Sequence, residues 1–489
     1  MYIRAAPDRL ARFRNARSGP DAAASAKGCT IFSGLQYLSV GYTVRVDTAS
    51  RNGTPTTIQA ALHVAQKLKA PGDAESAAAV AATQSEFPQF SYWVPSAIAQ
   101  GNAGLCVLWA YLDECLPGEG WDIVGKLHLE MAVRAAEVAP PAGGGLFSGL
   151  SGLAFAGIQL SREGTRYRGL LRSLDDAVTA EAMKLANRIR DASGVSTGDF
   201  DVISGLSGMG ACLLCRRDEQ SVQVALANIT DALVSLVLRD PSRPAWHTPA
   251  VMLYDEVART TYPNGNLNCG MAHGIPGVLA YLALVHGTLV DGQKDCLVSR
   301  ERLEESIVTA ATWIVQNRAD DEWGVNWPTA VALTENGQAA SPAIPSRSAW
   351  CYGVPGVARP LWMAGKALGR ADYCDLAVLA MEAVFRRPLS ARMIDSPSFC
   401  HGVAGLLAVT LRFARESGSA VFAAEAEKLT AQLLESFHED HLLGFRNIEY
   451  RNNQTDQPGL LDGAAGIALV LLAAGTRVDP KWDRLFLLS

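Results

Sequence analysis

The stretch Gly274-Ile-Pro-Gly277-Val-Leu-Ala-Tyr-Leu-Ala-Leu-Val285 joins a Gly-x-x-Gly to an apolar run of helical length with no charged face. A helix that is apolar nearly all round must be buried. Working outward, the same arrangement recurs at 101–104, 149–152, 205–208, 353–356, 402–405 and 463–466, with first glycines 48 to 79 residues apart. Longer stretches with charges on one face alternate with these runs, for example 167–192, 221–239, 301–319, 371–387 and 420–440. A repeat of this length is a supersecondary unit, here a helical hairpin. Seven apolar inner helices alternating with seven amphipathic outer ones predict an all-α fold, an α/α toroid built as a double barrel of seven helical-hairpin repeats. The glycines are expected to allow close backbone approach and to supply positive φ where the chain turns inward. Free N–H groups at seven helix starts would then gather at one end of the ring.

Composition bounds the rest. Of 489 residues, 49% are hydrophobic and 19% charged, which excludes a disordered chain, and ten cysteines are too few for a disulfide scaffold. A net charge of −6 speaks against a nucleic-acid binder. No uninterrupted apolar run reaches the ~18–20 residues of a membrane span. The first residues carry arginines (Arg4, Arg9, Arg12, Arg14, Arg17) without an apolar core, so no signal peptide is expected. Unpaired cysteines then read as reduced thiols in a cytoplasmic protein, reaching a membrane only peripherally through partners. Length alone suggests about three domains. The repeat reduces this to one, residues 57–489, preceded by an extension, 1–56, of unassigned role that includes β-favouring alternation within 31–46.

Three loops carry chemistry. The fourth copy reads Gly270-Met-Ala-His273-Gly-Ile-Pro-Gly277, the fifth Arg347-Ser-Ala-Trp350-Cys351-Tyr352-Gly-Val-Pro-Gly356, and the sixth Ser398-Phe-Cys400-His401-Gly-Val-Ala-Gly405. If the loops converge, Cys351, Cys400 and His401 meet. Two thiolates and an imidazole suit zinc, and three protein ligands leave a fourth position open. Adjacent Cys-His is not a zinc-finger spacing, however, and a buried Cys is usually a small hydrophobe. Spacing alone leaves both readings open.

The ordered set AHGIPG, WCYGVPG and CHGVAG, on seven Gly-rich hairpins, resembles the lanthionine synthetase C-like cyclase family over about residues 57–480. That resemblance implies a toroid with one zinc ion (Zn2+) at its mouth, held by Cys351, Cys400 and His401. It implies addition of cysteine thiols to dehydroalanine or dehydrobutyrine in a dehydrated precursor peptide (leader plus core), closing (methyl)lanthionine rings. It also marks His273 for proton transfer, Asp201 of Asp199-Phe-Asp201-Val-Ile-Ser-Gly for orienting it, Arg347 for stabilising the enolate and Tyr352 for assisting. The partners it implies are a separate dehydratase and an exporter, with no nucleic acid.

Other readings stay open beside this one. A family member can instead add glutathione to dehydrated residues, or serve as a zinc-bearing, non-catalytic peptide-binding module. A glycoside hydrolase on the same toroid would need paired carboxylates, for which Asp201 and Asp462 are available. A prenyltransferase-like zinc site would want more aromatics than 7%. Cys212 and Cys215 (C-x-x-C) lie within an inner helix and read as core. His438, Asp440 and His441 end an outer helix and are expected to face water. Asp462 could point into the mouth but reads more readily as a helix N-cap, and Cys269 as lining the inner face.

Overall fold

A computed structural model describes residues 55–88, 92–192, 194–239, 244–288, 297–340 and 344–489; the extension, apart from its last two residues, lies outside them, as do Cys29 and Cys296. Among the described residues, fourteen helices alternate outside and inside. The outer ones are α1 (Thr57–Lys67), α3 (Trp121–Val138), α5 (Arg168–Asp191), α7 (Gln220–Leu238), α9 (Arg300–Gln316), α11 (Ala371–Arg386) and α13 (Ala420–Glu435). The inner ones are α2 (Asn102–Cys115), α4 (Leu150–Leu160), α6 (Leu206–Leu214), α8 (Ile275–Thr288), α10 (Val354–Leu368), α12 (Val403–Ser417) and α14 (Ala464–Gly475). Every residue of α14 from Ala464 to Ala473 is buried, whereas α5 buries one stripe, Leu171, Leu174, Val178, Ala182, Leu185 and Ile189. That contrast of all-round and one-faced burial is what the apolar pattern predicts.

Each inner helix packs on the next, and α14 returns to pack on α2, so the ring closes. The outer partner of α14 comes from the other end of the chain: α1 covers it. Thr56 fixes the start of α1 through a capping box with Gln59. The helix Pro71–Gln84 packs outside, against α3. Two short antiparallel pairs decorate the ring, β1 (Asn266–Asn268) with β2 (Ala330–Ala332) and β3 (Asn447–Ile448) with β4 (Gln454–Thr455). The first ties the polar 317–347 segment to the loop before α8.

The glycines meet one half of the expectation, close backbone approach, and not the other. Of the fourteen repeat glycines only Gly353 has positive φ, at 91°; the other first glycines are extended, such as Gly402 at −125°. The requirement is room. A Cβ on the second glycine of each copy would fall under 3.0 Å from the carbonyl oxygen six residues upstream, of Ile98, Leu146, Val202, Met271, Trp350, Phe399 and Leu460. Nor are the helix-start N–H groups left free. Ala103, Leu150, Gly208, Val403 and Ala464 donate to Pro95, Gly143, Asp201, Ser396 and Gln457 of their own loops.

The centre of the ring is filled from the C-terminus. Residues Trp482, Leu485, Phe486, Leu487 and Leu488 are buried, and Phe486 stacks on Phe399 at 3.6 Å between centroids and meets Trp350 edge-on at 5.0 Å. Arg359 ties the segment down through the Leu488 carbonyl and a bidentate bond to Glu416. The helix α7 has the length and apolarity of a membrane span although Gln223, Asn228 and Asp231 interrupt its apolar run. Here it is an outer helix of the ring, packed on α5 and α6.

Candidate active site at the mouth of the ring

The seven loops are stitched to one another by backbone hydrogen bonds running in one rotational sense. Ile98 N–H donates to Phe147 O, Leu146 to Ile203, Val202 to Ala272, Ala272 to Cys351, Cys351 to Cys400, Cys400 to Leu461, and Leu460 to Ala99, at 3.0 to 3.3 Å. The residues whose carbonyls crowd the second glycines, Ile98 through Leu460, are all fully buried and form an apolar floor. The next two residues of each copy face the mouth. In the fourth to seventh copies these pairs are Ala272-His273, Cys351-Tyr352, Cys400-His401 and Leu461-Asp462. The repeat geometry therefore assembles the chemistry.

Asp201 and His273 meet as expected. The His273 Nδ1 lies 2.6 Å from Asp201 Oδ2, and the carboxylate is 1% exposed. Its other oxygen accepts from the N–H groups of Ser204 and Gly205 at 2.7 and 2.8 Å, which fixes it in the third loop. Tyr352 stands next to His273, with ring centroids 6.3 Å apart. Its hydroxyl accepts from Asn268 Nδ2 at 3.2 Å, and burial pushes its pKa far above the usual range. It is a neutral phenol free to donate. A side chain at Gly270 would collide with the Tyr352 ring, so that glycine gives Tyr352 its place.

Across the mouth, the Cys351 thiol is pulled below its ordinary pKa by its contact with Cys400 and by the nearby Arg347 guanidinium, against the effect of burial. Cys400 is raised by the same contact and by burial. Arg347 is half-buried and its charge also acts on Cys400 and His401. Burial lowers His401, which keeps the imidazole neutral, as a metal ligand must be. Ligand atoms of Cys400, His401 and Asp462 all lie within 4.8 Å of one another.

Three sequence readings need correction. Cys215, read as core together with Cys212, is exposed just past the end of α6. Asp462 is no N-cap: α14 is capped by Gly463 without any side-chain bond, and the carboxylate turns toward His401. His438 and His441 do not simply face water; with Asp395, Gln432 and Arg446 they line a cavity of ≈ 220 Å³ outside the mouth. Cys212 and Cys269 are core thiols, buried and pushed upward by desolvation. Asn268 and Gly270, which position Tyr352, carried no recognisable signal of their own.

A family model for lanthionine synthetase C-like protein matches residues 92–487. The chain belongs to the lanthionine synthetase C-like family. This lanthionine synthetase C-like protein is 27% identical over 343 residues to nisin biosynthesis protein NisC of Lactococcus lactis subsp. lactis, covering 67% of this chain and 73% of that one. Its fold superposes on a solved nisin cyclase with a TM-score of 0.68 at 23% identity, over 81% of this chain and 92% of that one.

Proposed function

We propose that this protein is a zinc-dependent lanthipeptide cyclase, with residues 57–489 as its catalytic domain. The single observation that carries the reading is the Asp201–His273 pair at the same mouth as Cys400, which touches Cys351 and lies in one group with His401 and Asp462, in a chain similar to nisin biosynthesis protein NisC. The donor set fits a zinc ion. Two thiols in contact and a neutral imidazole converge beside a buried carboxylate oxygen that has no hydrogen-bond partner. Cys351, Cys400 and His401 would hold the ion. When bound, zinc supplies the Lewis acidity that deprotonates a thiol near neutral pH.

The chain's own residues do the rest. Addition of a peptide thiolate to a dehydroalanine or dehydrobutyrine forms the C–S bond at Cβ and leaves an enolate, which must gain a proton at Cα. His273 delivers that proton as the general acid, held in place by Asp201. Asp201 holds the ring by Nδ1 and stabilises its charged form. Arg347 and the neutral Tyr352 hydroxyl supply positive charge and a hydrogen bond to the enolate oxygen. The floor of the mouth excludes water from below. The substrate is a dehydrated precursor peptide, and its dehydration by a separate partner, export by another and a cytoplasmic setting belong to the same proposal.

Cys351→Ala tests it. Metal analysis and thiol consumption from a dehydrated, cysteine-containing peptide should both fall to background. A variant that keeps full zinc and full cyclisation contradicts the assignment.

A further inference from the structure

We propose, resting on the metal reading above, that Asp462 is a further member of the metal centre, its carboxylate facing the ion from beside His401. The helix start it precedes makes no use of it, because Gly463 caps α14 without a side-chain bond and Ala464 N–H donates to Gln457 O instead. Asp462 Oδ1 is shielded from solvent and has no hydrogen-bond partner among the described residues. A buried carboxylate oxygen left without a partner costs several kcal/mol, so it needs a positive group to face. The neighbour it has is His401, whose Nδ1 lies 3.5 Å from Oδ1.

That separation is long for a hydrogen bond. It is the spacing of two ligands on one ion: zinc bonds of about 2.0 Å in a tetrahedron place neighbouring ligand atoms about 3.3 Å apart. Cys400 Sγ completes a triangle of donors within 4.8 Å. Loop register explains the meeting. Asp462 occupies in the seventh copy the place of His401 in the sixth and His273 in the fourth, and the Cys400 N–H bond to Leu461 O at 3.0 Å locks the two loops side by side. A carboxylate there adds negative charge to the site, strengthening its hold on a divalent cation and turning His401 toward it.

The test compares the full chain with Asp462→Asn, Asp462→Glu and Cys351→Ala. Zinc affinity is measured by chelator competition, cobalt(II) substitution by visible absorption, and folding by melting of the metal-free proteins. Asp462→Asn should bind zinc ten- to a hundredfold more weakly, with shifted cobalt bands and a metal-free melting temperature no lower than the parent's. Asp462→Glu, which keeps the charge, should stay within a few-fold of the parent. Parental zinc affinity and cobalt spectrum in Asp462→Asn, alongside loss of metal in Cys351→Ala, overturns the role of Asp462 alone. A parent chain that binds no zinc overturns the metal reading itself.

Discussion

Asp201 is engaged on both of its oxygens. One holds His273, and the other takes two N–H groups of its own loop. Asp201→Asn is isosteric and can keep the loop, but an amide cannot stabilise the charged imidazole. Cyclisation by this variant should drop by about 10²–10⁴, while zinc content stays at the parental level. Parental turnover of the dehydrated peptide would remove Asp201 from the chemistry. Asp201 and Arg347, four and six places before their repeat glycines, were marked only by the family resemblance. His273, Cys351, Tyr352, Cys400 and His401 stand one or two places before a glycine that punctuates the repeat, which made them legible. Asp462 stands there too and was misread, because an Asp ahead of a helix is most often a cap. Its real use depends on the loop beside it, which sequence order does not show.

The hairpin is where sequence reasoning worked best and where its physical reason needed changing. Apolar run and amphipathic run gave α8 and α9, or α12 and α13, nearly at their observed bounds. Close backbone approach at the glycines was expected, but the positive φ expected beside it occurs only at Gly353, and the carbonyl six residues away that requires the room can only be seen once the loop is folded. Two substitutions separate the explanations. Gly405→Ala drives a methyl into the Phe399 carbonyl and should destabilise the fold by about 2–4 kcal/mol or more. Gly72→Ala, in the helix Pro71–Gln84 with open space around it, should be neutral or stabilise by up to about 1 kcal/mol. Denaturant midpoints measure both. Equal effects would mean that backbone crowding is not what the repeat glycines relieve.

Closure of the ring was expected from the repeat, but local pattern could not say which elements complete it. That α1 covers α14, and that the last residues plug the centre, depends on contacts between chain ends. His128 shows how the two ends of an interface become pH-sensitive. It is fully buried on α3, bonded to Asn102 at the start of α2 (2.8 Å) and to the Lys69 carbonyl (3.2 Å), and burial pushes its pKa down to about 4. The unfolded chain takes up a proton near pH 6.5, while the folded one resists until about 4. Stability from this group is therefore intact above about pH 6.5 and is lost as pH falls toward 4, by on the order of 3 kcal/mol. Urea unfolding at pH 7 and pH 4.5 should show that loss, reduced in His128→Gln. An identical slope in both proteins would place the acid sensitivity elsewhere.

The proposed reaction takes place within one peptide at one mouth. The direct measurement is alkylation counting: zinc-loaded protein is incubated with a dehydrated precursor peptide bearing free cysteines, then thiols are labelled and the peptide is weighed. Ring closure predicts an unchanged peptide mass with one fewer alkylation site for each ring formed, and full labelling when His273→Ala replaces the parent. A peptide that keeps every alkylation site after incubation with the parent protein, or gains the mass of glutathione only when glutathione is supplied, contradicts it.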